Sequence, residues 1–326
     1  MTTASLVITV DTEPDNQWTF PSAGGAVADL TFANTRGLGR LIDFLDGEGT
    51  PGTWLTSYSV ARDPESVRAL RRAMQGGHEI GGHLHAWETP PFTDADRRAH
   101  PYIYEYDTAI RKAKLHAVTR ALQDAFGTAP ASYRAGRWGI DEMELRHLAE
   151  MGYTIDTSVV PGHDFSSSIG LARGGPDFRR RLTASPPDPY RVGSIWEAPV
   201  SAATIGALGA TAAGAAMARG LAYRLDLPSR AANRLLRAAG LCGLVWVRPL
   251  VHPRGDLVRA ALALVERGAR LVNVMFHSSE SFVGTSPRTR TAGDVERFYG
   301  DLGAIIKAVK ATGRVTPRTL SQAVSS

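Results

Sequence analysis

The sequence predicts an α/β fold in which parallel strands form a sheet and helices cover it. Two observations point there. A β-branched apolar run opens at Leu6–Val10, and from it strand-type runs alternate with helix-period patterns almost to the last residue. Such repeating β/α units favour a parallel sheet with the helices outside, closed as a barrel or left open as a doubly wound sheet. The 326 residues are sufficient for one large α/β domain, and the chain is taken as a single unit over 1–326.

The elements follow in order. Leu6–Val10 reads as the first strand, and Asn34–Leu45 as a helix with Leu38, Leu41, Ile42 and Leu45 on one face. Gly52–Thr56 is a second strand, Pro64–Met74 a helix, and His78–His85 a strand whose last histidines fall at its C-terminal end. A long helix, Tyr106–Phe126, is stopped by Gly127 and Pro130. Ser132–Ala135, Thr154–Asp156 and Ile195–Val200 are further short strands, with a helix at Glu142–Met151 between the first two. Gly255–Glu266 is helical, Leu271–Phe276 is a buried strand, and Asp294–Ala311 closes the chain as a helix. Residues 161–194, rich in Gly, Pro, Ser and Arg, read as a long loop. Ala202–Ala218 is uncharged and rich in Ala and Gly; it is too weakly apolar for a membrane span and is expected to form part of an inserted helical segment at about 201–250.

Composition narrows the chemistry. The lone Cys242 leaves no internal disulfide and no thiolate metal site, so any metal must take nitrogen and oxygen ligands. The start, MTTASLVITVDTE, has no basic leader region, which gives a cytoplasmic expectation. A net charge of +5 is concentrated locally: Arg179, Arg180 and Arg181 cluster, and residues 219–254 carry seven arginines against the single acid Asp226. That segment could meet a lipid diphosphate or anionic headgroups at a membrane surface. No nucleic-acid-binding motif accompanies the charge, so a nucleic-acid partner is not expected.

Five polar stretches lie at predicted strand ends: VDTEPD (10–15), GHLHAW (82–87), YRAGRWG (133–139), IDTS (155–158) and MFHSSE (275–280). In a β/α barrel the C-terminal ends of the strands converge on one mouth, which makes these stretches neighbours. Three of the nine histidines fall within residues 77–87. His83 and His85 are two apart and so share a face in an extended strand, where a carboxylate from the first strand would complete a three-ligand site for zinc or ferrous iron. Asp11, Glu13 and Asp15 are the available acids; alternation puts Asp11 and Glu13 on one face, whereas Asp15 follows Pro14 and turns away, and the choice between Glu13 and Asp15 as ligand stays open. His78 precedes the apolar Ile80 and is read as structural.

The ordered set of stretches resembles the polysaccharide deacetylase (NodB-homology) family of carbohydrate esterases, over roughly residues 5–320. The resemblance implies a distorted, usually seven-stranded (β/α) barrel that removes acyl groups from sugars with one divalent metal, generally Zn2+. By that resemblance Asp11 is the general base, Glu13, His83 and His85 hold the metal, and Arg134 orients Asp11. His277 is the general acid, Asp156 hydrogen-bonds the His277 imidazole with Glu197 as competitor for that role, and Trp138 stands at an aromatic position. One departure is plain. The family's second motif is H-x-x-x-H, but the position four after His83 is Trp87, which leaves His85 as the second imidazole ligand.

The implied reaction is hydrolysis of an N-acetyl or other N-acyl amide on a sugar, with a cytoplasmic nucleotide- or lipid-linked precursor as the expected substrate. Two alternatives stand beside it. One is a metal-free amidase of the same superfamily acting on ureide or cyclic amide substrates, which would account for the altered second motif; the other is a non-catalytic carbohydrate-binding relative.

Overall fold

A computed structural model of the chain describes residues 3–18, 29–93, 100–168, 174–178, 188–211, 213–214, 217 and 235–324. All nine residues of the first strand, β1 (Ala4–Thr12), are buried, because its sheet is covered on both faces and neither side needs polar residues. The other strands are β2 (Gly52–Ser57), β3 (Glu79–Leu84), β4 (Ser132–Ala135), β5 (Ile155–Asp156), β6 (Tyr190–Val192), β7 (Ile195–Glu197), β8 (Ala202–Ile205), β9 (Gly243–Trp246), β10 (Leu271–His277) and β11 (Val315–Pro317). Seven of them run parallel in the order β10-β1-β2-β3-β4-β5-β7, a curled sheet in keeping with the distorted barrel that the family resemblance implies.

Register brings the chemistry to one end. Asp11 pairs with His277 across β1 and β10, His83 with Arg134 across β3 and β4, and Asp156 with Glu197 across β5 and β7. All of these positions lie at the C-terminal ends of their strands, where a barrel exposes its mouth.

Two ends of the row, β7 and β10, are joined without a strand ladder. The Ser201 amide donates to the carbonyl of Asn273 at 2.9 Å, and the Asn273 amide donates to Ser201 Oγ at 2.8 Å. The Asn273 side chain then crosses the interior. Its Oδ1 accepts from Thr9 Oγ1 at 2.8 Å and its Nδ2 donates to Thr157 Oγ1 at 3.0 Å, tying β1 and the turn after β5 to β10. Leucine or valine would suit the surrounding strand, so a fully buried asparagine at this point marks a polar closure rather than a packed seam.

Helices pack on the outer face. Pro64–Gln75 starts with Asp63 as N-cap, accepting from the Ser66 amide, with proline at its first position. Thr108–Phe126 ends at Gly127, whose φ of +79° is open to glycine without a Cβ clash. Arg254–Glu266 and Ala292–Ala311 bury Leu257, Leu264, Phe298 and Ile305 against β8, β10 and each other. His78 behaves as the structural histidine expected: its Nδ1 accepts from the Gly52 amide and Trp54 Nε1, and its Nε2 meets Asp46.

The structure corrects the sequence reading in three places. The helix expected over Asn34–Leu45 is two, Ala33–Arg36 and Gly39–Gly47, broken at Gly37, where the Phe282 ring packs so close that a Cβ would stand 2.4 Å from it. Residues 161–194 contain β6, which pairs antiparallel with β7, and a bridge between Asp164 and Asp177. Ala202–Ile205, expected as helix, is the strand β8, antiparallel to β9, because its buried alternation is completed by Leu244 and Trp246 from the far end of the insertion. The Arg179–Arg181 cluster lies outside the described residues, as do Arg219, Arg224, Arg230 and Arg234. Arg237, Arg248 and Arg254 are described, and each is engaged within the protein: Arg237 meets His252, Arg248 meets Glu280, and Arg254 meets Asp301. Among the described residues no helix is long and apolar enough to cross a membrane.

Asn273→Ala removes the side-chain part of the closure and leaves the Thr9 and Thr157 hydroxyls and the Ala198 and Pro199 carbonyls with fewer partners. The expected cost is about 2–4 kcal/mol, read as a lower denaturant midpoint with an unchanged slope.

Candidate active site

The site is assembled around Arg134, which β4 carries into the interior with no exposed surface. Its Nη1 donates to Asp11 Oδ1 at 2.5 Å, its Nη2 to Thr9 Oγ1 at 2.8 Å, and its Nε to the Thr157 carbonyl at 2.9 Å. Burial opposes ionisation of Asp11, yet the Arg134 guanidinium, with His83 and His277 beside it, holds that carboxyl below the usual range. Asp11 is therefore an anion at neutral pH with one oxygen taken by Arg134 and the other, Oδ2, directed towards His277 Nε2 at 3.7 Å.

Next to Asp11, three acceptor atoms converge. Glu13 Oε2 lies 2.6 Å from His85 Nε2 and 3.3 Å from His83 Nε2, and the two imidazole nitrogens are 3.1 Å apart. All three residues are buried. His83 Nδ1 contacts the Arg134 carbonyl at 2.9 Å, so it carries the ring proton and leaves a lone pair on Nε2. Burial pushes the His85 imidazole down to about 4, whereas the Asp11 and Glu13 carboxylates raise the proton affinity of His83 against its burial. One ligand atom from each of Glu13, His83 and His85 lies within 4.8 Å of the others, close enough for all three to bind a single divalent cation. The donor set, two imidazoles and one carboxylate, suits zinc or another first-row ion and fits the group that the sequence implies.

Geometry resolves the choice between the acids. Asp15 turns away to bond the Thr31 hydroxyl and the Asn34 amide, leaving Glu13 with the imidazoles. Trp87, at the position where the second motif would carry a histidine, stacks on His85 with ring centroids 4.3 Å apart and donates to Gln17 Oε1 at 2.7 Å. Gly136 makes this arrangement possible, since a Cβ there would stand 2.5 Å from His85 Nδ1. Lys114, buried on Thr108–Phe126, binds the loop that follows by donating to the carbonyls of Ala86, Thr89 and Pro91 at 2.8–2.9 Å.

His277 sits opposite the imidazole pair, with Nε2 at 3.6 Å from Glu13 Oε1. Asp156 does not serve it. The Asp156 carboxylate accepts from Ser158 N and Oγ at 3.1 and 2.7 Å and lies in hydrogen-bonding contact with Glu197, and burial raises its affinity for a proton. Asp156 ends β5 in register with Tyr133, the residue before Arg134, and its carboxylate is taken up by the Ser158 turn rather than reaching across the mouth. The His277 partners are ones the sequence reading left unassigned. Arg248 Nη2 donates to His277 Nδ1 at 2.8 Å and to both oxygens of Glu280 at 2.9 and 3.0 Å, and the His277 amide donates to Glu280 Oε2 at 3.0 Å. Burial opposes the charge on Glu280, but Arg248 and His277 bring its carboxyl down to about 2. Trp18 packs over His277 at 4.8 Å between ring centroids and donates to Ser279 Oγ.

These groups open onto a cavity of about 220 Å³. Trp18, Trp87, Tyr102, Trp138 and Phe165 give it aromatic walls, and Asp11, Glu13, His83, His85 and His277 supply the polar floor.

No protein-family model and no curated protein matches the sequence. Solved structures do. A protein assigned as a polysaccharide deacetylase from Mycobacterium smegmatis superposes with a TM-score of 0.58 at 17% identity, covering 99% of this chain and 90% of that one. The chain has the fold of a polysaccharide deacetylase. The 4-α-glucanotransferase of Thermococcus litoralis superposes with a TM-score of 0.53 at 11% identity, covering 100% of this chain but only 40% of that longer one. A family 4 carbohydrate esterase from Streptomyces lividans, in complex with acetate, aligns over 97% of this chain and 92% of its own at 12% identity, with a TM-score of 0.44.

Glu280 supplies a pH-dependent part of the stability. Its folded carboxyl titrates at about 2 against an ordinary 4.5, so the stabilisation is full above pH 4.5 and is lost as pH falls towards 2. Glu280→Gln, which strands Arg248, is expected to cost about 3 kcal/mol at pH 7. The gap to the unmodified protein should narrow by about 1.4 kcal/mol per unit below pH 4.5 in denaturant titrations at several pH values.

Proposed function

We propose that the chain is a metal-dependent hydrolase that removes an N-acetyl or other N-acyl group from a sugar. One observation carries the reading: an anionic Asp11 and the His277 imidazole flank the Glu13, His83 and His85 cluster, each within 4 Å of a neighbouring group in it or of the other. Amide hydrolysis needs a base for water and an acid for the departing nitrogen, and these two groups stand where both can reach one acyl carbon. A divalent cation held by Glu13, His83 and His85 would polarise the acyl oxygen and acidify water.

The chain's own residues do the rest. Arg134 keeps Asp11 ionised and fixes one of its oxygens, so that Oδ2 is the one left to take a proton. Arg248 Nη2 holds the His277 ring at Nδ1, which leaves Nε2 facing Asp11 and Glu13. An Nε2–H there is the proton that can be passed to the leaving nitrogen. The aromatic walls suit the apolar faces of a pyranose and exclude water from the floor.

The glucanotransferase likeness in fold suggests a second chemistry, which the side chains disfavour. Glycosyl transfer uses two carboxylates free to face a glycosidic bond, whereas here Asp11 is held by Arg134 and Glu13 by two imidazoles. A metal-free amidase would leave the convergence of Glu13, His83 and His85 on one point without a use.

The test combines zinc quantification with acyl-release assays over N-acetylated sugars. Asp11→Asn should keep its metal and lose activity by about 10³-fold or more, in line with loss of a general base and its charge. His83→Ala should lose both metal and turnover; a full complement of metal in that variant would remove the site assignment.

A further inference from the structure

Two arginines on the cavity wall have hydrogen-bonding capacity that the acyl-transfer chemistry does not use. Arg137 and Arg248 both line the cavity, and each retains a buried Nε that finds no hydrogen-bond partner among the described residues. Buried guanidinium nitrogens are seldom left unpaired, because each forfeits its hydration without replacement. Arg248 is only 4% exposed. Its Nη2 is occupied by His277 and Glu280, and its guanidinium lies 5.0 Å from the Trp246 ring centroid, so the group is fixed in place with Nε uncommitted.

Arg137 is held there at a conformational cost. Arg137 and Trp138 follow one another in the left-handed region, with φ of 54° and 64°. For residues with a Cβ this costs about 1–2 kcal/mol each, and such strain persists where the side chains it directs have work to do. Both side chains point to the cavity wall, and the Arg137 guanidinium is 5.7 Å from the Tyr102 ring centroid. No carboxylate pairs with Arg137 among the described residues.

Resting on the hydrolase reading above, we infer that Arg137 and Arg248 form an anion subsite beside the acyl-cleaving groups, so that the N-acyl sugar carries a phosphate or carboxylate substituent. The planar N–H array of arginine matches the oxygens of either group, and aromatic walls between the two arginines receive the sugar ring. A neutral polymer such as an unmodified N-acetylglucosamine chain would leave Arg137 without an anionic partner and Arg248 Nε unfilled in a partly dry cleft.

Inorganic phosphate, titrated calorimetrically into the zinc-loaded protein, tests the subsite without any turnover. Arg137→Asn is the variant of choice, since asparagine tolerates the left-handed backbone; Arg137→Lys, which keeps the charge but loses the fork, is the second. Phosphate affinity should fall at least tenfold in Arg137→Asn and by less in Arg137→Lys, with zinc content unchanged. Acyl release should favour N-acetylglucosamine 1-phosphate or N-acetylglucosaminuronic acid over methyl N-acetylglucosaminide by tenfold or more, and the preference between the first two separates phosphate from carboxylate. Equal phosphate binding by wild type and Arg137→Asn would overturn the subsite, as would equal turnover of charged and neutral probes. Phosphate binding that depends on Arg137, with no acyl release from any probe, would leave the subsite standing and overturn the hydrolase reading.

Discussion

The buried contact between Arg134 and Asp11 is the constraint on which the rest of the site hangs. A fully enclosed guanidinium is tolerable only if its charge is answered and its donors are filled, and β1, β4 and the turn after β5 must all be in register to do this. Once they are, Asp11 has one free oxygen, the Arg134 carbonyl orients His83, and Thr9 links the same network to Asn273 at the closure of the sheet. Fold and chemistry thus share one set of polar bonds inside the barrel.

A second polar unit faces the first across the mouth. Arg248 arrives from the end of the inserted segment, Glu280 from the turn after β10, and together they leave His277 little freedom about its ring. Each unit pairs an arginine with a carboxylate, and in the proposed reaction they would serve opposite sides of proton transfer: Arg134 would keep the base an anion, while Arg248 and Glu280 would fix the ring of the acid. The separation of these roles depends on burial, because in water neither pair would be held so firmly.

Much of this was legible residue by residue. The strand-end positions of Asp11, His83, Arg134 and His277 follow from apolar runs and their terminators, and the spacing of two between His83 and His85 gives a shared face without any knowledge of the fold. Between Glu13 and Asp15 the sequence left the choice of ligand open. Less legible were the partners of His277. Arg248 stood among arginines that read as a surface feature of residues 219–254, and nothing in local pattern distinguishes the one that turns inward. Glu280 was visible in MFHSSE as a polar neighbour, yet its pairing with a residue 32 positions earlier is a contact that periodicity cannot express. The strand at Ala202–Ile205 was misread for the same reason, since its partner lies across the insertion.

The sequence alone determined the β/α alternation, the acids and imidazoles available, and the strand ends that carry them, because these depend on side-chain period and residue type within a few positions. Tertiary structure decided which groups meet: Glu13 rather than Asp15 beside the imidazoles, Arg248 and Glu280 in place of Asp156 at His277, and the inward Arg137 beside Trp138. Those outcomes depend on strand register, on the room left by Gly136 and on which charges must be paired once buried, quantities that exist only after distant segments have come together.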